Sequence, residues 1–161
     1  MGSEPHVRRG PRRPRYVVTR VVVTPVLTGV IETAVYADDL DRAASFYEGL
    51  FSLSRLFADP SMVAYDVGGR SVFLVFLRGA SADGKEVPNS GFIPGHDSSG
   101  PAHFAFGAPA DAIDDWIERL TAQGIVIEGR VDWPRGGVSL YFRDPDGNLV
   151  EIASPGLWAT Y

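Results

Sequence analysis

Three side chains that could bind a metal ion interrupt apolar, β-rich runs of this sequence. Glu32 lies in "VIETAVY", His103 in "PAHFAF" and Glu151 in "DPDGNLVEI". A carboxylate inside a buried strand is costly unless it is paired, protonated or bound to a metal. Two carboxylates and a neutral imidazole suit a divalent cation, and the chain has no Cys to supply a thiolate. We therefore hypothesise a metal site formed by Glu32, His103 and Glu151, in which Glu32 or Glu151 could also act as a base.

Each of these residues also has a simpler interpretation when it is taken alone. A single His in a strand is commonly a half-buried residue with satisfied hydrogen bonds. Glu151 could be the charge of an edge strand, and Glu32 could cap an element or pair with an Arg. The joint occurrence of the three at related positions is what favours a metal.

The three residues stand at corresponding positions of a pattern that occurs twice. The order strand-helix-strand-strand-strand repeats, with apolar residues at helical spacing in each helix and alternating or β-branched runs in the strands. The first copy comprises predicted elements at 30–36, 39–50, 53–57, 62–67 and 71–77, with Asp38 as the helix cap and Gly68-Gly69 as a hairpin turn. The second copy comprises predicted elements at 101–108, 110–123, 125–129, 137–143 and 148–153, with a helix stop at Gly124 and a type I turn at Asp144-Pro145-Asp146-Gly147.

Glu32 and His103 each lie in the first strand of a copy, and Glu151 lies in the last strand of the second. The corresponding last-strand position of the first copy falls on apolar Phe73, or on Leu74 if the register is shifted by one residue. The chain thus offers three polar residues and one apolar residue at four related positions.

The boundaries of the copies follow from composition. Residues 79–100 are rich in Gly, Ser, Pro and Asn without a period, which is typical of a linker or a lid. We therefore divide the chain into a basic tail (1–28), a first module (29–78), a linker or lid (79–100) and a second module with the C-terminal tail (101–161).

Charge and hydropathy restrict the function classes. Residues 1–29 carry six Arg and one Glu, whereas the whole chain has a net charge of −5, so an acidic body follows a basic tail. The tail is interpreted as a leader, with nucleic-acid binding as the alternative. No apolar run approaches the ~20 residues that span a bilayer. We expect a soluble, cytoplasmic protein with neither nucleic acid nor membrane as partner.

Five further residues are candidates for substrate binding: Phe73, His96, Trp133, Arg135 and Tyr141. His96 could contact substrate from the lid, although an exposed loop His is the simpler view. Trp133 and Arg135 could form an aromatic wall and an anion clamp, or merely shape a hairpin. Tyr141 could face a cleft or the core, because strand parity is undefined without a register.

The segments "ETAVYADDLDRAASFYEGLF", "GPAHFAF" and "VDWPRGGVSLYFRDPDGNLVEIASPGLW" resemble the vicinal oxygen chelate superfamily over about residues 28–159. This superfamily includes glyoxalase I, extradiol dioxygenases, fosfomycin-resistance thiol transferases and bleomycin-resistance proteins. The resemblance implies an α+β fold in which two tandem βαβββ modules form a half-open sheet barrel around a metal cleft, in a homodimer. It places metal ligands at Glu32, His103 and Glu151, for a divalent ion that could be Zn, Mn, Ni, Fe or Mg.

The sequence also departs from the members of that superfamily. Extradiol dioxygenases and fosfomycin enzymes typically use two His and one Glu, so Glu32 replaces a His. Glyoxalase I uses a further Glu where this chain has Phe73 or Leu74. The resemblance implies a divalent-metal enzyme that acts on a small oxygenated substrate through vicinal oxygens, by isomerase, lyase or dioxygenase chemistry. The alternative is a metal-free protein that sequesters a small aromatic drug or metabolite, as bleomycin-resistance proteins do.

Overall fold

The computed structural model describes residues 26–161, and its regular structure consists of two four-stranded mixed sheets, a two-stranded hairpin and two helices. The elements are, in chain order, β1 (Glu32–Ala37), α1 (Leu40–Phe51), β2 (Ser54–Asp59), β3 (Met62–Val67), β4 (Ser71–Leu77), β5 (Lys85–Val87), β6 (Gly91–Ile93), β7 (His103–Gly107), α2 (Ile113–Ala122), β8 (Gly129–Asp132), β9 (Val138–Arg143) and β10 (Leu149–Ala153). A 3-10 turn, Ala110–Ala112, leads into α2.

The two large sheets have the same internal order. The first runs β1-β4-β3-β2 and the second runs β7-β10-β9-β8. In each sheet the first strand pairs in parallel with the last, and the other pairs are antiparallel. The order β-α-β-β-β therefore occurs twice along the chain, and the predicted α+β class is confirmed.

Local sequence signals explain where α1 begins and ends. Asp39 is its N-cap, since the carboxylate accepts a hydrogen bond from the Arg42 N–H at 3.0 Å. The expectation that Asp38 is the cap is wrong, because its carboxylate instead accepts from Arg78 Nε at 2.6 Å. Ser52, at φ +56°, ends the helix in the left-handed region.

Two predicted turns are present. Gly68 and Gly69 have φ values of +64° and +66°, which the β3–β4 hairpin requires at both positions. In the β9–β10 connection the Gly147 N–H donates to the Asp144 carbonyl at 3.1 Å. The positive φ of Gly147, +83°, explains why glycine ends that turn.

Two predicted segments differ from the structure. The strand expected at 125–129 begins only at Gly129, because the Ile125 N–H still donates to Leu120 of α2 and Val126 is exposed. Residues 79–100, expected to lack regular structure, contain the β5–β6 hairpin. Its turn depends on Asn89, one of two non-glycine residues with positive φ within residues 26–161.

A single apolar core lies between the two sheets and is centred on α1. The Tyr47 ring lies 4.7 Å from Phe73 of the first sheet, and the Phe51 ring lies 4.8 Å from Phe106 of the second, measured between centroids. Strand parity places Phe104 and Val150 on this same side of the second sheet. Each sheet therefore turns one face to the shared core and the other face away from it.

The Asp144–Asn148 turn links the second module to α1. Asp144 Oδ2 accepts hydrogen bonds from the Tyr47 hydroxyl and the Asn148 amide, both at 2.7 Å. Asp146 Oδ1 accepts from the Asp38 N–H at 2.9 Å and from Arg42 at 2.7 Å. The turn that the sequence singled out is thus a connector between the two halves of the chain.

Most of the predicted basic tail lies outside the described residues. Within residues 26–161, no helix is long and apolar enough to cross a membrane.

Candidate functional site

His103 and Glu151 come together on adjacent parallel strands of the second sheet. His103 is paired with Leu149, so Glu151 follows two residues later on the same face, which is the face turned away from the core. The distance from His103 Nε2 to Glu151 Oε2 is 3.4 Å. The structure thus brings together two of the three predicted metal ligands.

The second ring nitrogen of His103 fixes its orientation. Nδ1 lies 3.1 Å from the carbonyl oxygen of Leu149, and a carbonyl can only accept a hydrogen bond. Nδ1 therefore carries a proton, and in the neutral ring the lone pair of Nε2 points toward Glu151. A backbone carbonyl behind the ring is the usual support of a metal-binding His.

The Glu151 carboxylate is buried with few compensating partners. Its side chain is 5% exposed, and Oε1 accepts one hydrogen bond, from the Tyr141 hydroxyl at 3.1 Å. Among residues 26–161, no Lys or Arg forms a salt bridge with it. Burial chiefly raises the pKa of Tyr141, against the lowering effect of Ser139 and with a smaller contribution from the charge of Glu151, so this hydroxyl remains a donor. A cation beside Oε2 would compensate the buried charge, so the donor set fits a divalent metal.

Glu32 lies apart from this pair. It is the exposed first residue of β1 and lines a different cavity, together with Met62, Leu74 and His96. Within residues 26–161, no three His, Asp or Glu side chains are close enough to hold one ion together. In one copy of the chain, the predicted ligands therefore form a pair and a separate carboxylate.

The register of the sheets decides which residue of the first module corresponds to Glu151. Glu32 of β1 pairs with Val72 of β4, and His103 of β7 pairs with Leu149 of β10. Because Glu151 lies two residues after Leu149, the corresponding residue of β4 lies two residues after Val72 and is Leu74. Phe73 points to the opposite face, is 1% exposed and packs on Tyr47. The interpretation of Phe73 as the corresponding position is therefore wrong, and its contacts are those of a core residue.

His96 faces the cavity beside Glu32 and is held by a tyrosine. Its Nδ1 lies 2.7 Å from the Tyr36 hydroxyl, and both rings pack against Phe76. The cavity has a volume of about 450 Å³. Tyr36 was not among the predicted site residues, although its position four residues after Glu32 in an alternating strand puts both on one face.

Trp133 and Arg135 have structural partners near the C-terminus. The Trp133 indole N–H donates to Ser139 Oγ at 2.8 Å, and Arg135 Nη2 donates to the Leu157 carbonyl at 2.8 Å. Both line a smaller cavity of about 240 Å³ that does not include His103 or Glu151. One nitrogen of the Arg135 guanidinium thus binds the backbone of the terminal segment, and the anion clamp stays a prediction.

Comparisons with known proteins agree on the family. The model of the Glyoxalase/Bleomycin resistance protein/Dioxygenase superfamily matches residues 29–152. The metallothiol transferase FosB of Shouchella clausii is 27% identical over 129 residues, which are 79% of this chain and 80% of that protein.

Solved structures give the same result. The crystal structure of lactoylglutathione lyase from Agrobacterium tumefaciens is 38% identical, with a TM-score of 0.74 over 83% of this chain and 98% of that one. The fosfomycin resistance protein FosX from Listeria monocytogenes, 17% identical, shares the fold with a TM-score of 0.58 over 82% of this chain and 97% of that one.

Proposed function

Because the chain belongs to the Glyoxalase/Bleomycin resistance protein/Dioxygenase superfamily, we propose that it is a divalent-metal-dependent enzyme. Its substrate is a small oxygenated molecule that binds the cation through two vicinal oxygens. The observation that carries this proposal is the buried Glu151 carboxylate, which faces the Nε2 lone pair of His103 at 3.4 Å without a Lys or Arg partner among residues 26–161.

In this proposal the third ligand, Glu32, comes from a second copy of the chain. Glu32 and the His103–Glu151 pair occupy sheet faces that both point away from the shared core, so they cannot meet within one copy. If the first-module face of one copy lies against the second-module face of another, two half-open barrels form, each with all three ligands. Exposed apolar residues adjoin Glu32, notably Val30 at 82% and Ile31 at 70%, and a homodimer would cover them.

The residues of the site have separable roles. A divalent cation bound there supplies Lewis-acid polarisation of the substrate oxygens. His103 presents Nε2 because Leu149 holds Nδ1, and Tyr141 orients Glu151 through its hydroxyl. Glu32 has no side-chain hydrogen-bond partner within residues 26–161, so one of its oxygens is free to accept a substrate proton; Glu151 is the other candidate for this base.

The reaction is of the isomerase or lyase kind in our preferred form of the proposal. The 38% identity to a protein described as a lactoylglutathione lyase supports this choice. Glu32 in place of a His makes the ligand set harder and richer in oxygen, which favours a cation such as Mn or Mg and counts against an iron dioxygenase.

A second candidate function is metal-free sequestration of a small aromatic molecule. The cavity of about 450 Å³ beside Leu74 and Phe76 favours it, because a cavity of that size can enclose a drug-sized ligand without a metal. In that case ligand binding would be insensitive to chelators.

Metal analysis tests the proposal. The purified protein should contain about one equivalent of a divalent metal per chain, as expected for one three-ligand site. His103→Ala should lose it after dialysis, whereas the control His96→Ala should retain it. Equal metal contents in all three proteins would overturn the proposal, and a purified wild-type protein that contains no divalent metal would favour sequestration.

A further inference from the structure

A mainly apolar cavity lies on the open face of the first sheet. Its floor is formed by Met62, Leu74 and Phe76, which lie on adjacent strands with their side chains on one face. Its wall is the β5–β6 hairpin, which contributes Val87 and Ile93. Its volume, about 450 Å³, falls in the range of small-molecule sites.

The wall of this cavity is fixed by close backbone contacts at its base. A Cβ atom at Gly95 would lie 1.9 Å from the Ala82 carbonyl oxygen, and one at Gly84 would lie 2.5 Å from that of Ile93. Only glycine allows the two ends of the hairpin to approach this closely. The His96 N–H, which donates to the Ser81 carbonyl at 2.9 Å, closes the same base.

Polar groups lie at the two ends of the cavity. Glu32 is at one end and His96 at the other, where the imidazole is bonded to Tyr36. Glu32 and Tyr36 are four residues apart on one strand, which corresponds to about 13 Å. Between these ends the floor is apolar.

The hydrogen bond to Tyr36 determines what His96 offers a ligand. A phenol is a better donor than acceptor, and a neutral imidazole nitrogen is a strong acceptor, so Tyr36 donates to Nδ1. The proton of the neutral ring is then on Nε2, which has no other partner among residues 26–161. His96, which lines the cavity, therefore carries an N–H donor on Nε2.

The charges of the cavity do not select an anion. Glu32 and Glu86 line it, and among residues 26–161 the one cationic residue that lines it, Lys85, is paired with Asp59 at 3.1 Å. A phosphate or a dicarboxylate would meet net negative charge in this cavity.

From these observations we infer that the substrate is an elongated, uncharged molecule with an aromatic or branched aliphatic body and a hydrogen-bond acceptor at its far end. The body lies on Leu74 and Phe76 beneath the β5–β6 hairpin, and the acceptor binds the Nε2–H of His96. The vicinal oxygens lie at the end occupied by Glu32. That last placement rests on the proposed function, whereas the apolar cavity and the His96 donor do not.

A neutral fluorescent ketone tests the cavity without any metal. Prodan has a naphthalene body of suitable length and a carbonyl acceptor, and its emission shifts to the blue in apolar surroundings. Wild-type protein treated with EDTA should bind Prodan with such a shift. Leu74→Trp, which fills the cavity, should bind at least about tenfold more weakly, as expected from loss of its buried apolar contacts. Val126→Trp places the same ring on a distant exposed segment and should bind like wild type.

The role of His96 is tested with a pair of probes. His96→Phe keeps an aromatic ring but removes the N–H, and should weaken Prodan binding about three- to tenfold, the effect of one neutral hydrogen bond. It should leave the binding of N-phenyl-1-naphthylamine, which has no carbonyl acceptor, unchanged. This pair remains informative if Leu74→Trp does not fold, as judged by circular dichroism.

The outcomes separate this inference from the proposed function. Equal Prodan binding by wild type, Leu74→Trp and Val126→Trp would overturn the cavity assignment, and equal effects of His96→Phe on both probes would overturn the donor role. The expected pattern of Prodan binding, together with a protein that contains no divalent metal as purified, would support the cavity and contradict the metal-dependent enzyme. Metal binding without Prodan binding would support the metal-dependent enzyme and contradict the cavity assignment.

Discussion

His103 Nε2 lies 3.4 Å from Glu151 Oε2, and His103 Nδ1 lies 3.1 Å from the carbonyl of Leu149, two residues before that glutamate. Both contacts of the imidazole therefore go to β10, one to its backbone and one to a buried side chain. With the proton on Nδ1, a neutral imidazole turns its Nε2 lone pair toward a carboxylate that has no Lys or Arg partner among residues 26–161. In the proposed function, a metal ion bound between these two side chains would balance the charge of Glu151.

The first prediction concerns the charge of Glu151. Glu151→Gln keeps the size of the side chain but removes its charge, so metal affinity should fall by more than about 100-fold, beyond the usual loss for a supporting residue. In the metal-free protein the same change should leave the free energy of unfolding unchanged or raise it, because an uncompensated buried charge disappears. Metal titration and urea unfolding of both forms measure the two effects.

Tyr141→Phe is the matched control for that prediction. It removes only the hydroxyl that orients Glu151, so metal affinity should fall by about 10-fold. A larger loss in Tyr141→Phe than in Glu151→Gln would contradict the ligand role of Glu151.

The second prediction tests the register of β4 with a pair of neighbouring substitutions. Phe73→Glu places a carboxylate in the shared core and should destabilise the protein by about 3 kcal/mol or more. Leu74→Glu places it on the open face, at the position that corresponds to Glu151, and should cost much less. Thermal unfolding of the two variants gives the comparison. A less stable Leu74→Glu than Phe73→Glu would contradict the assigned face.

The third prediction concerns the link between the modules. Tyr47→Phe removes the hydroxyl that donates to the buried Asp144 carboxylate and should lower the free energy of unfolding by about 1–3 kcal/mol. Tyr65→Phe removes a hydroxyl that donates to the more exposed Glu48 within one module, and should cost less. Urea unfolding measures the free energy of unfolding of both variants. Equal losses would show that the contact with Asp144 stabilises the fold no more than the contact with Glu48.

The fourth prediction concerns acid stability. The Ser61 hydroxyl, with the Ser61 N–H and Lys85, lowers the pKa of Asp59 to about 2. Because this pKa is below the ordinary value of about 4, ionised Asp59 stabilises the fold above about pH 4, and the contribution is lost as the pH falls toward 2. Asp59→Asn should therefore be less stable than wild type at pH 7, and the difference should shrink between about pH 4 and pH 2.

The control for the acid prediction is the exposed Asp83. Asp83→Asn should change the free energy of unfolding by less than about 0.5 kcal/mol, as is usual for a surface substitution. A difference between wild type and Asp59→Asn that stays constant from pH 7 to pH 2 would contradict the assigned cause.

Several parts of the structure follow from local sequence. Alternating strands, apolar spacing in α1 and the glycines at positions 68, 69 and 147 predict the element order, because each depends on residues close in the chain. The sequence marks His103 and Glu151 as candidate ligands, but their closeness depends on the long-range pairing of β7 with β10, which local sequence does not predict.

The face of β4 could not be predicted in this way. Counting four residues from a turn glycine gives Phe73 in one hairpin and Glu151 in the other, but the hairpins close differently. Val67 pairs with Ser71 across three residues, whereas Arg143 pairs with Leu149 across five. The first paired residue after the turn is Ser71 in β4, which faces the core, and Leu149 in β10, which faces the open side. A difference of one residue in the length counted from the turn places every side chain of the strand on the opposite face.

The separation of Glu32 from the other ligands was equally hidden, because it depends on long-range packing. Contacts of Tyr47 and Phe51 with both sheets determine which faces are covered, and no periodicity reveals them. Tyr36 was missed for a related reason, since its partner His96 is 60 residues away across the linker.

Metal content of a mixed dimer tests the central claim most directly. Glu32→Ala and His103→Ala should each lose the metal. When the two variants are unfolded, mixed and refolded together, half of the dimers combine one chain of each kind, and each of these has one site with all three ligands intact. The mixture should therefore recover about a quarter of an equivalent of metal per chain, as two-fold symmetry requires. A mixture that stays as empty as the separate variants would contradict a metal centre shared between two copies.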